Sequence, residues 1–264
     1  MTKRILITGA TDGIGLEAAK LLAADGHHLL LHGRSEEKLA SVANLIGNNV
    51  ETIRADLADL DAVDAMAKEI GARYDQLDVL INNAGVFKTP VTTAANGLDV
   101  RIVVNTLAPY LLAKRLLPLM NARGRIVNLS SAAQAPVDLA AFETDTHLAD
   151  NAAYAQSKLA ITMWSTHMDE EIGDNGPMVV SVNPGSLLAT NMVKDAYGIP
   201  GSDIQIGAKI LYDAALSGTF QDAGGKYWDN DSGQFADPHA DALNTAKREA
   251  VADAIQSALS RLGH

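Results

Sequence analysis

Tyr154 and Lys158 stand four residues apart in a segment of helical periodicity, and Asn128-Leu129-Ser130-Ser131 lies ahead of them. Four residues of helix bring two side chains onto one face. A phenol, an ammonium and a hydroxyl together can move a proton to or from a carbonyl oxygen. The ammonium beneath the ring is expected to lower the phenol from its ordinary pKa of about 10. This is the chemistry of a carbonyl/alcohol redox site. The same spacing also arises by chance in helices, so its meaning depends on what else the chain brings to the same place.

Short apolar runs alternate with helix-period segments up to about residue 230, the pattern of parallel strands joined by crossover helices. The predicted strands are Arg4-Thr8, His28-Leu31, Val50-Arg54, Val79-Asn82, Gly124-Leu129 and Val179-Asn183, with a late one near Lys226-Trp228. The expected fold is therefore α/β, a doubly wound parallel sheet of about seven strands with helices on both faces, in one domain spanning 1–264. Ligands bind such sheets at the carboxyl ends of the strands. Gly9, Gly33, Asp56, Asn83, Ser131 and Pro184 all fall there, so distant stretches converge on one crevice. Two irregular stretches, near 134–151 and 186–202, are candidates for substrate walls or a lid. The first carries Asp138, Glu143, Asp145 and Asp150 and is where specificity is expected, a solvated surface loop being the plainer alternative. The tail, 237–264, reads as surface helix.

The 264 residues are 47% hydrophobic and carry a formal charge of -11, without a block of like charges. That balance argues against nucleic acid or an anionic membrane as partner. There is no cysteine, hence no disulfide or thiolate chemistry. Ile5-Leu6-Ile7 is too short for a signal core, and the longest apolar stretch is interrupted by Lys114, Arg115 and Pro118. A soluble, cytoplasmic protein is expected. No metal is expected, because His28 and His32 on a strand lie about 13 Å apart, too far to share an ion.

Thr8-Gly9-Ala10-Thr11-Asp12-Gly13-Ile14-Gly15 follows the first strand and opens a helix. Glycines there permit a tight turn, and the helix N-terminus offers unpaired N–H groups and partial positive charge to a pyrophosphate. A dinucleotide, in a Rossmann-type arrangement, is the ligand this placement implies. Gly9, Asp12, Gly13, Ile14 and Gly15 are its candidate contacts. The second strand ends at His32-Gly33-Arg34-Ser35, with an arginine where many NAD-binding chains place an acid for the ribose 2′-hydroxyl. A guanidinium suits a 2′-phosphate, so NADP(H) is favoured over NAD(H). Asp56-Leu57 would hold the adenine amino group, unless Asp56 serves to cap the next helix.

Taken in order, Thr8-Gly-x-x-x-Gly-x-Gly15, Asn82-Asn83-Ala84-Gly85, Asn105, Ser131, Tyr154-x-x-x-Lys158 and Asn183-Pro184-Gly185 resemble the short-chain dehydrogenase/reductase family over about residues 1–230. Within it the chain is most similar to the retinol-dehydrogenase and WW-domain-oxidoreductase-like branch, since Tyr154 falls 23 positions after Ser131 and Gly225-Lys226-Tyr227 precedes an acidic, helical tail. The resemblance implies that Tyr154 exchanges the proton while hydride passes to or from the nicotinamide. It implies that Ser131, with Ser130 as runner-up, bonds the substrate oxygen, and that Lys158 holds the ribose and tunes Tyr154. Asn105 would steady a water in a proton relay. Asn83, Ala84 and Gly85 would line the adenosine side, Asn82 would bond across the sheet, and Pro184-Gly185 would turn beside the nicotinamide. The family usually has a threonine four residues after that proline. Here Thr190 stands six after it, so its contact with the cofactor is left open.

Met163, Trp164 and Met168 continue the helix of Tyr154 and read as packing residues. The resemblance implies that this helix packs against its copy, giving a homo-oligomer (dimer or tetramer), whereas a tail covering it would leave a monomer. The expected activity is NAD(P)(H)-dependent hydride transfer between the nicotinamide and a small-molecule alcohol or carbonyl. The alternative from another class is a catalytically silent dinucleotide-binding sensor or scaffold.

Overall fold

The computed structural model describes residues 2–264. Its first half alternates β1 (Arg4–Ile7), α1 (Gly13–Ala24), β2 (His28–Gly33), α2 (Glu36–Ile46), β3 (Val50–Arg54), α3 (Leu60–Arg73) and β4 (Val79–Asn82). Then α4 (Val100–Ile102) runs through a π-helical turn, Val103–Leu107, into α5 (Ala108–Leu116). After β5 (Arg125–Leu129) come α6 (Asp150–Ile172), β6 (Met178–Asn183), α7 (Asn191–Tyr197), α8 (Ile204–Leu216), β7 (Tyr227–Asp229), β8 (Gln234–Ala236), α9 (Ala240–Leu243) and α10 (Thr245–Arg261).

The sheet order is β3-β2-β1-β4-β5-β6-β7-β8, parallel throughout except for the antiparallel β7/β8 pair. The doubly wound reading holds, with an eighth strand added. β8 is only three residues long, and its turn, closed by Gly233 at φ +68°, has no apolar alternation to announce it. Strand pleating divides the core in two. Leu6, Leu30, Leu80 and Ile126 face one layer with α3, α5 and α6; Ile5, Ile7, Leu29, Leu31, Ile81 and Val127 face the other with α1 and α8. The order reverses between β1 and β4, so the loops after these strands open the crevice in which such folds bind ligands.

A buried polar ladder fixes α6 on the sheet. Asn82 Nδ2 donates to Asn128 Oδ1 at 2.8 Å, and Asn128 Nδ2 donates to Ser165 Oγ of α6 at 2.8 Å. Asn82 thus has the cross-sheet role expected of it.

Met163, Trp164 and Met168 are buried within the chain, and α10 packs along α6 with Val251, Ile255, Ala258 and Leu259. Trp164 meets Tyr110 of α5 edge-on, with ring centroids 5.4 Å apart. The helix face on which a homo-oligomer was expected is therefore covered by the chain's own tail. Val100–Leu119 is long and apolar enough by composition to cross a membrane, but 72% of its apolar window is buried in this fold.

The acidic insertion is anchored to the core. Its 3-10 turn, Leu139–Phe142, buries Ala141 and Phe142 in the core, and Arg261 of α10 donates to the Phe142 carbonyl at 2.6 Å. Three of its four acids have partners, and Glu143 is exposed. Asp138 caps the turn, Asp145 accepts from Thr93, and Asp150 pairs with Arg101, which also pairs with Asp99. Asp138, Asp145 and Asp150 are thus engaged in holding the insertion.

Candidate active site

The helix from Asp150 carries Tyr154 and Lys158 past the ends of β4 and β5. Ser157, one residue before the lysine, is wholly buried. It donates to the Tyr154 carbonyl at 2.7 Å, a back-bond within the helix, and accepts from Asn105 Nδ2 at 2.9 Å. Sequence reading missed it because a serine inside a helix carries no chemical signature of its own.

Asn105 lies in the π-helical turn, an irregularity frequent at functional positions. Its Oδ1 accepts from Val86 N at 2.8 Å and its Nδ2 donates to Val86 O at 2.9 Å as well as to Ser157. Both amide hydrogens are thus used, and the residue is 1% exposed. The side chain thus braces the Val86 loop against α6, and any water held at this position falls to the backbone of the π-helical turn.

The lysine does not lower the phenol here. Burial pushes Tyr154 up to about 12, against the opposing hydrogen bond of the Ser131 hydroxyl. Burial likewise draws Lys158 down to about 8. Lys158 Nζ lies 5.6 Å from the Tyr154 ring centroid and donates to the Leu129 carbonyl at 2.7 Å. Desolvation is thus the leading cause of both shifts.

The two serines separate clearly. Ser130 is buried and its hydroxyl is engaged with Thr162 Oγ1 (2.6 Å) and the Lys158 carbonyl (3.2 Å). Ser131 is half-buried and faces the Tyr154 phenol. Its backbone carbonyl is held by Gln134 Nε2 at 2.9 Å and Tyr227 Oη at 3.1 Å. Phe87 closes the other side of Tyr154, its ring centroid 4.7 Å away, and reaches Tyr197 of α7 at 6.0 Å.

At the cofactor end, Gly9 has φ +65°, and a Cβ there would lie 2.9 Å from Ala84 Cα. At Gly15 a Cβ would come within 2.4 Å of Asn83 Nδ2. Asn83 is therefore a staple, donating to the carbonyls of Thr8 (2.8 Å) and Gly9 (3.1 Å), rather than a side chain free for a ligand. Gly85 opens toward the other half of the site, where a Cβ would meet Asn105 Oδ1 at 3.3 Å and Lys158 Nζ at 3.5 Å. Among the described residues the amides of Ile14 and Gly15 have no partner, and a Cβ at Gly13, whose φ is +59°, would meet only Thr190 Cγ2, at 3.7 Å. Unpaired donors at a helix N-terminus fit a pyrophosphate.

Asp12 does something else. Its carboxylate accepts from the Gly13 amide at 2.7 Å and from Asn191 Nδ2 of α7 at 2.6 Å, tying the 186–202 segment to the turn. The Asp12 carboxylate is thus engaged within the protein, and a contact with a pyrophosphate would fall to its backbone. Thr190 caps α7 through Val193 N at 3.2 Å. Gly185, at φ +115°, makes the expected turn after Pro184, whose carbonyl accepts from Asn230 at 3.0 Å.

Arg34 is exposed, and Arg54 Nε donates to its carbonyl at 3.2 Å. Two guanidinium groups thus stand at the adjacent ends of β2 and β3. Arg54 was not singled out from sequence, where it reads as a polar strand residue. Asp56 makes a local turn to Ala58 N at 3.0 Å, while Asp59 caps α3, so the carboxylate of Asp56 stays exposed at the crevice edge. The Leu57 side chain is 4% exposed and belongs to the core, which leaves its backbone as the part that faces the crevice.

Comparison with known proteins agrees with this geometry. The family model described as short chain dehydrogenase matches residues 3–198. The chain is 29% identical to retinol dehydrogenase 13 of Homo sapiens, over 93% of this chain and 82% of that protein. It is 33% identical to a candidate daunorubicin C-13 ketoreductase of Streptomyces sp. (strain C5), over 96% of this chain and 92% of the other. A metagenomic short-chain oxidoreductase solved in complex with NADP superposes with a TM-score of 0.62 at 31% identity, over 81% of this chain and 90% of that one. Matched over three quarters of its length, and folded with a phenol, a hydroxyl and a lysine at the mouth of a dinucleotide crevice, the chain belongs to the short-chain dehydrogenase family of nicotinamide-dependent oxidoreductases, with retinol dehydrogenases among its relatives.

Proposed function

We propose that the chain is an NADP(H)-preferring enzyme that interconverts a ketone or aldehyde bearing a bulky apolar body with its alcohol. The observation that carries the reading is the Tyr154 phenol, set between the Ser131 hydroxyl and the Phe87 ring. When bound, the nicotinamide cofactor supplies or accepts the hydride. In reduction Tyr154 Oη gives its proton to the substrate oxygen, and in oxidation it takes the proton back. Ser131 donates to the same oxygen as negative charge builds there, its place fixed by Gln134 and Tyr227. Lys158, drawn down to about 8, can give or take a proton near neutral pH beneath the phenol, and its ammonium form would hold the ribose hydroxyls.

The apolar substrate body is supported by Phe87, Tyr197, Leu187 and Ile199, the last three exposed on the 186–202 segment. The names of two relatives, which refer to retinol and to daunorubicin, point to large molecules of that kind. The NADP(H) preference is supported by Arg34 and Arg54 together, a paired site suited to a 2′-phosphate. The tail laid over α6 supports a monomer.

The test is a panel of aryl, polyene and small aliphatic carbonyls assayed with NADPH and with NADH. NADPH-dependent reduction of the bulky members is expected. Tight cofactor binding with no hydride transfer to any member would favour the silent sensor instead. Titration of Arg34→Ala should show NADPH weakened far more than NADH, and equal losses would remove the NADP preference.

A further inference from the structure

The imidazole of His32 lies beneath the glycine turn, where no metal or proton-transfer chemistry uses it. It is 2% exposed. Its Nδ1 accepts from the Gly9 amide at 3.2 Å, and its Nε2 lies 3.1 Å from the Ala55 carbonyl. An amide can only donate and a carbonyl can only accept, while a neutral imidazole offers one of each. The two contacts therefore fix the tautomer with hydrogen on Nε2. β2 lies between β1 and β3, so this one ring spans from the turn after β1 to the loop after β3.

On the opposite side Asn83 donates to the Gly9 carbonyl. Both polar groups of Gly9 are thus held by side chains from the two neighbouring strands, at a residue whose φ of +65° and lack of a Cβ already confine it. Asp56, at the crevice edge, directly follows Ala55. Burial holds the ring neutral well below its ordinary pKa, down to about 4. Asp56 favours the charged form and Arg34 opposes it, and neither outweighs the burial.

We propose that His32 is a positioning residue of the cofactor site, a neutral Nε2–H strut that sets the distance between the pyrophosphate turn at Gly9 and the adenine-side loop at Ala55 and Asp56. The inference rests on the dinucleotide reading above. It asks of His32 something that packing alone would not: the pyrophosphate and the adenine are received by two separate loops, and the strut keeps them in register.

The test has two arms. In ¹⁵N-labelled wild-type protein at pH 7.5, long-range imidazole spectra should show His32 protonated at Nε2 and bare at Nδ1, with or without NADPH. An Nδ1–H tautomer or an imidazolium overturns the proposal. In the second arm, fluorescence titration compares His32→Leu with wild type at a temperature where both are folded by circular dichroism. A loss of about tenfold in affinity is expected for NADPH and NADH alike, because the strut serves parts of the cofactor common to both. His32→Gln, which keeps a donor and an acceptor, should recover part of that loss, and it replaces the leucine variant if that one does not fold. Unchanged affinity in a folded variant of lower melting temperature would assign His32 to packing and overturn the proposal. Failure of the wild type to bind either nucleotide would instead overturn the dinucleotide reading on which it rests.

Discussion

The two irregular segments that flank Tyr154 share an expected role as substrate walls or a lid and are unlike in structure. Residues 134–151 are anchored by Phe142 in the core, by the Arg101 pairs with Asp99 and Asp150, and by the hold of Arg261 on the Phe142 carbonyl. Residues 186–202 instead leave Leu187, Tyr197 and Ile199 exposed, and α7 is attached at the surface through Asp12 to Asn191 and Lys88 to the Ala196 carbonyl. One flank is a wall and the other can move. The difference teaches that acidic composition says little about where a loop will act. What matters is whether its charges find buried partners, since a segment with few buried contacts lies at the low end of local stability.

The strongest way to break this contrast is to remove the wall's anchor. Arg101→Met would leave Asp99 buried and unpaired and release Asp150, at a cost of about 3–5 kcal/mol, read as a fall in the thermal midpoint. A change within about 0.5 kcal/mol would mean that the insertion is not held as described.

A second prediction loosens the whole fold without touching either flank. The His32 pKa is depressed to about 4 in the folded chain against 6.5 ordinarily, so the folded state resists protonation that the unfolded chain accepts. The stabilisation is complete above pH 6.5 and is lost as pH falls from there through about 4. Its full size is on the order of 3 kcal/mol. Unfolding followed across that window should steepen in wild type and flatten in His32→Gln. Hydrogen exchange at each pH should still find α7 opening before the 139–142 turn, and the reverse order would break the comparison.

The smallest effect sharpens it. Asn191→Ala removes one exposed hydrogen bond to Asp12 and should change stability by less than about 0.5 kcal/mol. The same variant should speed NADPH release a few-fold, because α7 loses its tie to the glycine turn. Slower release, or a large loss of stability, would show that this flank is not the mobile one.

Much of this arrangement could be read from residue pattern alone. The parallel strands were legible because each is a short, continuous apolar run, and the glycine turn because its residues follow a strand and open a helix. Tyr154, Lys158 and Ser131 were legible because their chemistry is unusual. What stayed hidden are residues whose meaning comes from partners far along the chain. Ser157 needs Asn105, Arg54 needs the Arg34 carbonyl, and His32 needs Gly9 and Ala55. At Asn83, Asp12 and Leu57 the side chains were the hidden part. Their positions matched a cofactor motif, but the staple at Thr8 and Gly9, the tie to α7 and the core claim their side chains. The phenol's pKa failed for a similar reason, since spacing reports that Lys158 is near and says nothing of the desolvation that opposes it.

The central claim is that Tyr154 is the proton donor to the substrate oxygen. Tyr154→Phe keeps the ring against Phe87 and removes only the hydroxyl, so NADPH affinity should be unchanged. Single-turnover hydride transfer to a carbonyl that the wild type reduces should fall by about 10²- to 10⁴-fold. Turnover equal to wild type in a folded, NADPH-binding Tyr154→Phe protein would contradict the account.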